Sequence, residues 1–525
     1  MDRLRRLVAY GRTAAGLYGY LRQPLSQDEA ERLVAAALPR RQARLLALLQ
    51  RVYARPDDPY RALLVHAGVA YPAVEALIER EGVDGALLKL AAAGVYVSLD
   101  EFKGRRPIRR GSLELPVAPD GFAAPDGAGL RVRSGATRSA GTPTLIGFEL
   151  LAEEAAHRSV LVGSFGHGRG PVALWLPILP GSAGISNVLR YAKLGRPPDP
   201  WFSHAPVSLG RGGQAAGQTR AMLRLGRLFG SALPTPEYVP LAEADRVAEW
   251  AVAHRRQGRQ CQVVTYVSSA VRICATGARL DGVLFVVIGE PLTAARVAAI
   301  RASGADVTCT YSLTEAGTVA CGCGDPAAPD DAHVLLDRAV VVRHRPETGG
   351  HAVDGLFVTT RSPHARKVML NVETGDSGRL TERLCACSYG RLGYAQHLDS
   401  VVSYEKLTGE GMTYDASELA RVVEEVLPIR FGGSGTDYQA LEEVGADGLT
   451  RLTLLASPRL GPLDEAAVVA VLRAELRHGT AGHRLAEMIW GQAGSLGVRR
   501  AEPVPTTRGK LFPFAVARPS PGGRR

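Results

Sequence analysis

Lysine is almost missing from this chain: of 63 basic residues only six are lysines, Lys89, Lys103, Lys193, Lys367, Lys406 and Lys510. The remainder are arginines spread through every segment, the usage expected of a GC-rich genome. The formal charge of +11 therefore comes without a basic stripe interleaved with aromatics; only short clusters occur, such as GRRPIRRG at 104–111. Nucleic acid is not the partner such a distribution predicts, and a lysine inside a motif carries more information than usual. Cysteine is also scarce, and its seven copies, an odd number, argue against a disulfide framework. Long hydrophobic runs are lacking: no stretch of about 18 residues is apolar throughout. The opening MDRLRRLVAYGR has neither the apolar core nor the small-residue cleavage site of an export signal. The expectation is a cytoplasmic protein without a membrane partner; the oligomeric state is open.

What is present is enough for a large folded protein. At 525 residues, 46% hydrophobic and 22% charged, the chain exceeds one ordinary core and calls for two or more domains. Residues 1 to about 95 carry helical periodicity, as in DEAERLVAAALPRRQARLLALLQRVYA, and 104–130 reads as irregular connection. From 131 to about 320, strand-like runs (SVLVGSF, CQVVTYV, GVLFVVIG) alternate with helix-like ones (TLIGFELLAEEAAHR, EADRVAEWAVAHRRQ, TAARVAAIRASG), the form of an α/β sheet covered by helices. Between 333 and 380 strands follow one another without long helices, predicting a β-rich lobe. The fold class expected is α/β: a large multi-lobed domain plus a small α+β C-terminal domain. Boundaries fall at 1–130 (helical lead-in), 131–398 (core with the β-rich lobe) and 399–525.

Several short stretches could do chemistry. In RVRSGATRSAGTPTLIG, Gly135 and Gly141 are five residues apart and Thr142 stands where a Walker loop needs lysine, so this is not a Walker ATPase. Glycines, hydroxyls and a helix expected near Thr144 still suit an anion, as they would an ordinary turn. VLVGSFGHGRG at 160–170 lacks dinucleotide spacing and reads as a structural or substrate-lining turn. VVIGEPL at 286–292 ends a strand; CTYSLTEAG at 309–317 ends another; ETGDSG places Asp376 in a tight turn; PTTRGKLFPF carries Lys510. Singly each is bland: a Thr-Glu pair starts helices, an Asp between glycines forms turns, a tail lysine is solvated.

Their order along the chain resembles the adenylate-forming superfamily of acyl-CoA synthetases, adenylation domains and luciferases, over residues 130 to 515. The superfamily's phosphate loop resembles Ser134-Gly135-Ala136-Thr137, then an inserted Arg-Ser-Ala, then Gly141-Thr142-Pro143. Its Tyr-Gly-x-Thr-Glu motif resembles Tyr311-Ser312-Leu313-Thr314-Glu315, its Thr-Gly-Asp is Thr374-Gly375-Asp376, and its C-terminal lysine motif resembles Pro505 to Lys510. The layout is most similar to the phenylacetate-CoA ligase group. The resemblance implies an ATP- and Mg²⁺-dependent ligase that makes an acyl-adenylate from a small, possibly aromatic, carboxylic acid and passes the acyl group to CoA. The alternatives are an amine or a carrier protein as acceptor, or a nucleotide-binding homologue with altered catalysis. It further implies that Ser134 to Thr137, Gly141 and Thr142 wrap phosphates, that Gly289-Glu290-Pro291 borders adenine and that Tyr311 and Ser312 flank the base. Thr314 would touch the α-phosphate, Glu315 hold Mg²⁺, Asp376 bind the ribose, and Lys510, on a C-terminal domain that rotates between half-reactions, bridge carboxylate and α-phosphate.

The chain departs from that pattern in three places. Its phosphate loop has no lysine, leaving Arg138 of the insert as a candidate for that charge. The strand before Thr374 reads LNVE, and the hinge motif is indistinct: Arg391 is the candidate ribose or phosphate contact, with the hinge between 391 and 399. Tyr266, Ser268, Ser269 and His167 are candidates for the acid pocket. Cys321, Cys323, His333, Cys385 and Cys387 form a candidate structural Zn²⁺ site that would pin loops beside the nucleotide, buried free cysteines being the alternative.

Overall fold

The computed structural model describes residues 2–118, 120–123, 128–133, 143–178, 182–206, 214–344, 354–403, 406–410, 412–445, 447–478, 481–505, 511 and 513–516. Its framework is a twelve-stranded sheet. In spatial order the strands are Ala339–His344, Gly355–Thr360, Val372–Glu382, Gln396–Ser403, Ala332–Val334, Gly317–Gly322, Asp306–Leu313, Val283–Ile288, Cys261–Tyr266, Val172–Trp175, Trp201–Ser203 and Pro236–Tyr238. The last six, from Asp306–Leu313 onward, run parallel to one another. The others are antiparallel to their neighbours. The α/β class and the β-rich lobe expected from the sequence are both present.

Burial explains this division. The parallel strands read as unbroken apolar runs because helices cover both of their faces; Cys261–Tyr266 is buried at every position. They share one core with helices such as Phe148–Gly163 and Ala183–Lys193. The antiparallel strands share a second core with the N-terminal helices, where Leu45, Tyr60, Ile78 and Phe102 pack against Val340, Phe357 and Leu398. A third core lies under the four-stranded sheet of Tyr438–Val444, Thr450–Ala456, Leu496–Arg500 and Phe514–Val516. Among the described residues no single helix is long and apolar enough to cross a membrane.

Four local expectations are corrected. SVLVGSF is the end of the helix Phe148–Gly163, not a strand; a short apolar run has no periodicity with which to tell a buried helix from a buried strand. The helix expected near Thr144 starts at Phe148, because Pro143–Gly147 pairs antiparallel with Gly129–Arg133. The irregular 104–130 segment contains a hairpin, Ile108–Arg110 with Leu113–Leu115. The boundary expected at 398/399 falls inside the strand Gln396–Ser403, which belongs to the large sheet.

A buried side chain helps to fasten the four-stranded sheet to the parallel half, beside the Arg272–Glu410 ion pair. Arg296, in the helix Ala294–Ala302, is fully buried. Its Nε donates to the Gly448 carbonyl at 2.8 Å, Nη2 to Thr450 Oγ1 at 2.5 Å and Nη1 to the Pro291 carbonyl at 2.7 Å. A guanidinium without water needs all such acceptors. Arg296→Met is expected to remove about 2–4 kcal/mol, lowering the first thermal unfolding transition by several degrees; an unchanged transition would show that this clasp carries no stability.

Candidate functional site

Parallel strands bring their C-terminal ends to one edge, where open α/β sheets bind ligands. Here that edge carries Trp175, His204, Tyr266 and Glu290. Trp175 and Tyr266 end their strands, and the His204 ring stacks between them, with centroids 4.8 Å from Trp175 and 5.7 Å from Tyr266. His204 Nε2 lies 3.1 Å from Ser269 Oγ. Burial, with Arg272 adding to it, pushes the His204 pKa down to about 3, so the ring is neutral. Glu290 caps the helix Val267–Ala275, accepting from the Ser268 amide at 2.6 Å and from its hydroxyl at 3.0 Å. A carboxylate at a helix N-terminus is the favourable arrangement. Gly289 has φ 77°, a left-handed conformation that a side chain would strain.

The next strand brings two distant motifs into contact. Tyr311 Oη donates to Asp376 Oδ2 at 2.8 Å across 65 residues of sequence. Asp376 is not in a tight turn: it lies within the strand Val372–Glu382, next to Gly375 at φ 74°, with its amide donating to Thr374 Oγ1 at 3.2 Å. Beyond Tyr311 the ladder to Gly317–Gly322 shifts by one residue, a bulge that re-aims side chains. Ser312 Oγ then meets Thr318 Oγ1 at 3.4 Å.

Thr314 and Glu315 form the turn between these strands, and cations surround it. The Glu315 carboxylate is ion-paired with Lys103. Arg366 Nη1 donates to the Thr314 carbonyl at 2.6 Å, and the Lys367 amide to the Glu315 carbonyl at 3.2 Å. Burial pushes the Lys367 ammonium down to about 8, Glu315 opposing and Lys103 adding to the effect.

Behind the turn, Glu154 reaches in from the helix Phe148–Gly163. Its Oε1 accepts from the Thr318 amide at 2.9 Å, and its Oε2 from Arg190 Nε and Nη2 at 2.8 and 2.6 Å. Burial would raise this carboxyl, but Arg190, Arg338 and Arg366 hold it down at about 2. The helix Phe148–Gly163 is thereby tied to the strand that follows the Thr314-Glu315 turn.

The cysteines gather on the opposite face of the sheet. Thr310, Cys321, His333 and His397 are successive cross-strand partners; Tyr311, one residue on, points the other way. Four ligand atoms converge, those of Cys323, His333, Cys385 and Cys387, all within 4.8 Å of one another. His333 Nε2 is 3.0 Å from Cys387 Sγ and 3.4 Å from Cys385 Sγ; the Cys323–Cys385 and Cys385–Cys387 sulfurs are 3.7 and 3.3 Å apart. His333 Nδ1 is 2.7 Å from the Tyr394 carbonyl, an acceptor only, so Nδ1 carries a proton and donates there, leaving Nε2 toward the sulfurs. Contact with Cys323 and His333 holds the Cys387 thiol well below its ordinary pKa, while Cys323 is pushed up by Cys387 and by burial.

Of the residues singled out in the sequence, the structure brings together Tyr266, Ser268, Ser269 and Gly289 to Pro291 at one edge, and Tyr311 with Asp376. Ser134, Gly135, Ala136, Thr137, Arg138, Gly141, Thr142 and Lys510 lie outside the described residues. Three expectations are corrected. Arg391 sits with the cysteines, its amide on the Cys387 carbonyl at 3.0 Å and its Nη1 on the Ala386 carbonyl at 2.6 Å. His167 lies at the other end of the Tyr266 strand, its carbonyl accepting from Gln262 Nε2 at 2.5 Å. Cys321 is outside the four-ligand cluster, which is made by Cys323, His333, Cys385 and Cys387. Nor does the cluster pin loops beside Tyr311 and Asp376; it is behind the sheet from them. His204, Glu154 and Lys103 were missed. Only a carboxylate inside the apolar run FELLAEEAAHR marked Glu154, and scarcity marked Lys103.

No family model matches the chain, and no curated protein matches it. Solved structures do. A 2-hydroxyisobutyryl-CoA ligase, in complex with 2-HIB-AMP and CoA in the thioesterification state, matches at TM-score 0.54 and 12% identity, over 94% of this chain and 91% of that one. The same ligase in an open conformation matches at TM-score 0.46 and 12% identity, over 94% and 93%. A variant of an amide bond synthetase from Marinactinospora thermotolerans matches at TM-score 0.39 and 15% identity, over 90% and 92%. The first of these shows the fold: this chain is folded as that ligase is.

Glu154 offers the sharpest test of this architecture. Glu154→Gln leaves Arg190 and Arg338 buried against a neutral group, and a loss of about 3–5 kcal/mol in chemical denaturation is expected. Wild-type stability in that variant would mean that the arginines are compensated elsewhere.

Proposed function

We propose that this chain is an adenylating ligase that joins a small carboxylic acid to ATP and transfers the acyl group to CoA. The observation that carries the reading is the Tyr311–Asp376 hydrogen bond, which unites two motifs of the resemblance beside the C-terminal edge of the parallel strands. The acid, an aromatic one among the candidates, would lie along the stack of Trp175, His204 and Tyr266. The branch whose layout it shares, the phenylacetate-CoA ligase group, is the one we favour.

In the first half-reaction a carboxylate oxygen attacks the α-phosphorus of ATP, and the bond to the β-phosphate breaks, releasing pyrophosphate. Two anions must meet, so cations and N–H donors have to offset their repulsion. Asp376 would hold the ribose hydroxyls, Tyr311 and Ser312 flank the base that Gly289-Glu290-Pro291 borders, and Thr314 reach the α-phosphate. Ser134 to Thr137, Gly141 and Thr142 would donate to the outer phosphates, and Lys510 neutralise charge between carboxylate and α-phosphate. Glu315 is a hard oxygen donor suited to Mg²⁺, which when bound would draw charge from the phosphates. In the second half-reaction the CoA thiolate attacks the acyl carbon and AMP leaves.

The cysteine cluster fits zinc. Tetrahedral ligands at zinc distances lie about 3.5–3.8 Å from one another, close to the separations between these atoms. Held by a dication the three sulfurs would be thiolates, and the metal's charge would offset their mutual repulsion. Cys323, His333, Cys385 and Cys387 would hold it as a structural ion joining three parts of the antiparallel half.

Pyrophosphate release over a panel of carboxylic acids tests the activity. Release with one class of acid, with acyl-CoA formed when CoA is added, is expected, and Lys510→Ala should cut adenylation by about 100-fold or more. Acyl transfer only to an amine or a carrier protein would overturn the CoA acceptor, and undiminished adenylation in Lys510→Ala the role of that lysine. Elemental mass spectrometry should find one zinc per chain, lost in a Cys385→Ser/Cys387→Ser variant; zinc-free purified protein would overturn the metal site.

A further inference from the structure

Two of the six lysines, distant in sequence, converge on one carboxylate. Lys103 is ion-paired with Glu315, the two side chains being 14% and 10% exposed. Lys367, 1% exposed, places its Nζ 5.0 Å over the ring of Phe102, the residue before Lys103. Arg366 holds the Thr314 carbonyl from the other side. Beyond it lie Arg190 and Arg338 on Glu154. Five cations are thus gathered around two engaged carboxylates, Glu154 and Glu315, with Glu153 and Asp120 at the fringe and the buried Asp337, which also interacts with Arg338.

Buried positive charge of this density is costly without an anion. Arg338 is 2% exposed, and none of its three guanidinium nitrogens has a hydrogen-bond partner among the described residues; Arg366 Nε lacks one too. This cationic ground lies around a turn that, on the adenylation reading, faces the phosphates of ATP, in a chain whose phosphate loop has no lysine.

We propose that Lys103 is a phosphate-binding residue that exchanges partners: it closes on Glu315 while the site is empty and moves to a β- or γ-phosphate oxygen when metal-bound nucleotide engages Glu315. The lysine stem is flexible and its ammonium is a point charge, so the move needs only side-chain rotation. Lys103 thereby supplies the charge that the 134–142 loop lacks, and Lys367 and Arg366 keep the turn electropositive after the exchange. The inference rests on the proposed ATP site but concerns only its outer phosphates.

Calorimetric titration of the full chain with ATP and with AMP, both with Mg²⁺ present, separates the two ideas. Lys103→Gln should weaken ATP binding about tenfold or more, one charge-assisted contact, and AMP binding less than twofold, because AMP has no outer phosphates. Lys103→Arg should recover most of the ATP affinity, and Lys89→Gln, a surface lysine on Glu81, should change neither. Thermal melting checks that each variant is folded, and Lys103→Met replaces Lys103→Gln should the latter not fold. Equal loss of ATP and AMP binding, or no loss of either, would overturn the exchange while leaving adenylation standing. An unsubstituted chain that binds AMP but not ATP would also overturn it, and one that binds neither would remove the adenylation reading together with it.

Discussion

One junction governs this molecule: the strand Asp306–Leu313, last of the parallel set, paired with Gly317–Gly322, first of the antiparallel set. The parallel side supplies the edge that gathers Trp175, His204, Tyr266 and Glu290. The antiparallel side delivers Asp376 to Tyr311 and the cysteine cluster to the reverse face. Between the strands lies the Thr314-Glu315 turn, displaced by a one-residue shift after Tyr311. Side chains alternate along a strand, so a one-residue slip in this pairing would put Tyr311 and Cys321 on the same face, and either Tyr311 would lose Asp376 or the strand leading to Cys323 would turn away from the cysteine cluster.

Charge is the second constraint. The interior holds arginine where many proteins hold none, and each buried guanidinium has to be answered. Arg190 is answered by Glu154, and Arg296 by two carbonyls and a hydroxyl. Arg338, touching Glu154 only at 3.5 Å, is answered least. Breaking a buried pair costs more than making it returns, so these residues fix how elements meet rather than how strongly the whole holds. The arrangement ties the helix Phe148–Gly163 to the strand that follows the Thr314-Glu315 turn, and on the proposed adenylation reading that is where the site needs rigidity.

Much of this was legible in the sequence, for physical reasons. The parallel strands announced themselves as apolar runs bounded by turn residues, and the motif residues at their ends kept their order because chain order fixes which strand ends where. The failures have causes too. SVLVGSF has the composition of a strand and the position of a helix end, and only packing decides between them. Asp376 sits between two glycines, which suggests a turn, yet the backbone remains in the ladder with one left-handed residue. Arg391 was assigned through its resemblance to a hinge motif and His167 from the glycine-rich stretch around it, whereas the chain brings Arg391 to the cysteines and His167 to the other end of the Tyr266 strand. Lys103 and Glu154 act through partners 212 and 164 residues away, pairings that no local pattern encodes.

The central claim is that this fold carries out adenylation, and the nucleotide product tests it most directly. The chain would be incubated with Mg²⁺, ATP and a mixture of carboxylic acids without CoA, then examined by native mass spectrometry. A complex heavier than the free chain by the mass of one acyl-AMP, with pyrophosphate in solution, is the predicted result. ADP and phosphate formed in place of AMP and pyrophosphate, or ATP retained unchanged beside every acid, would contradict it.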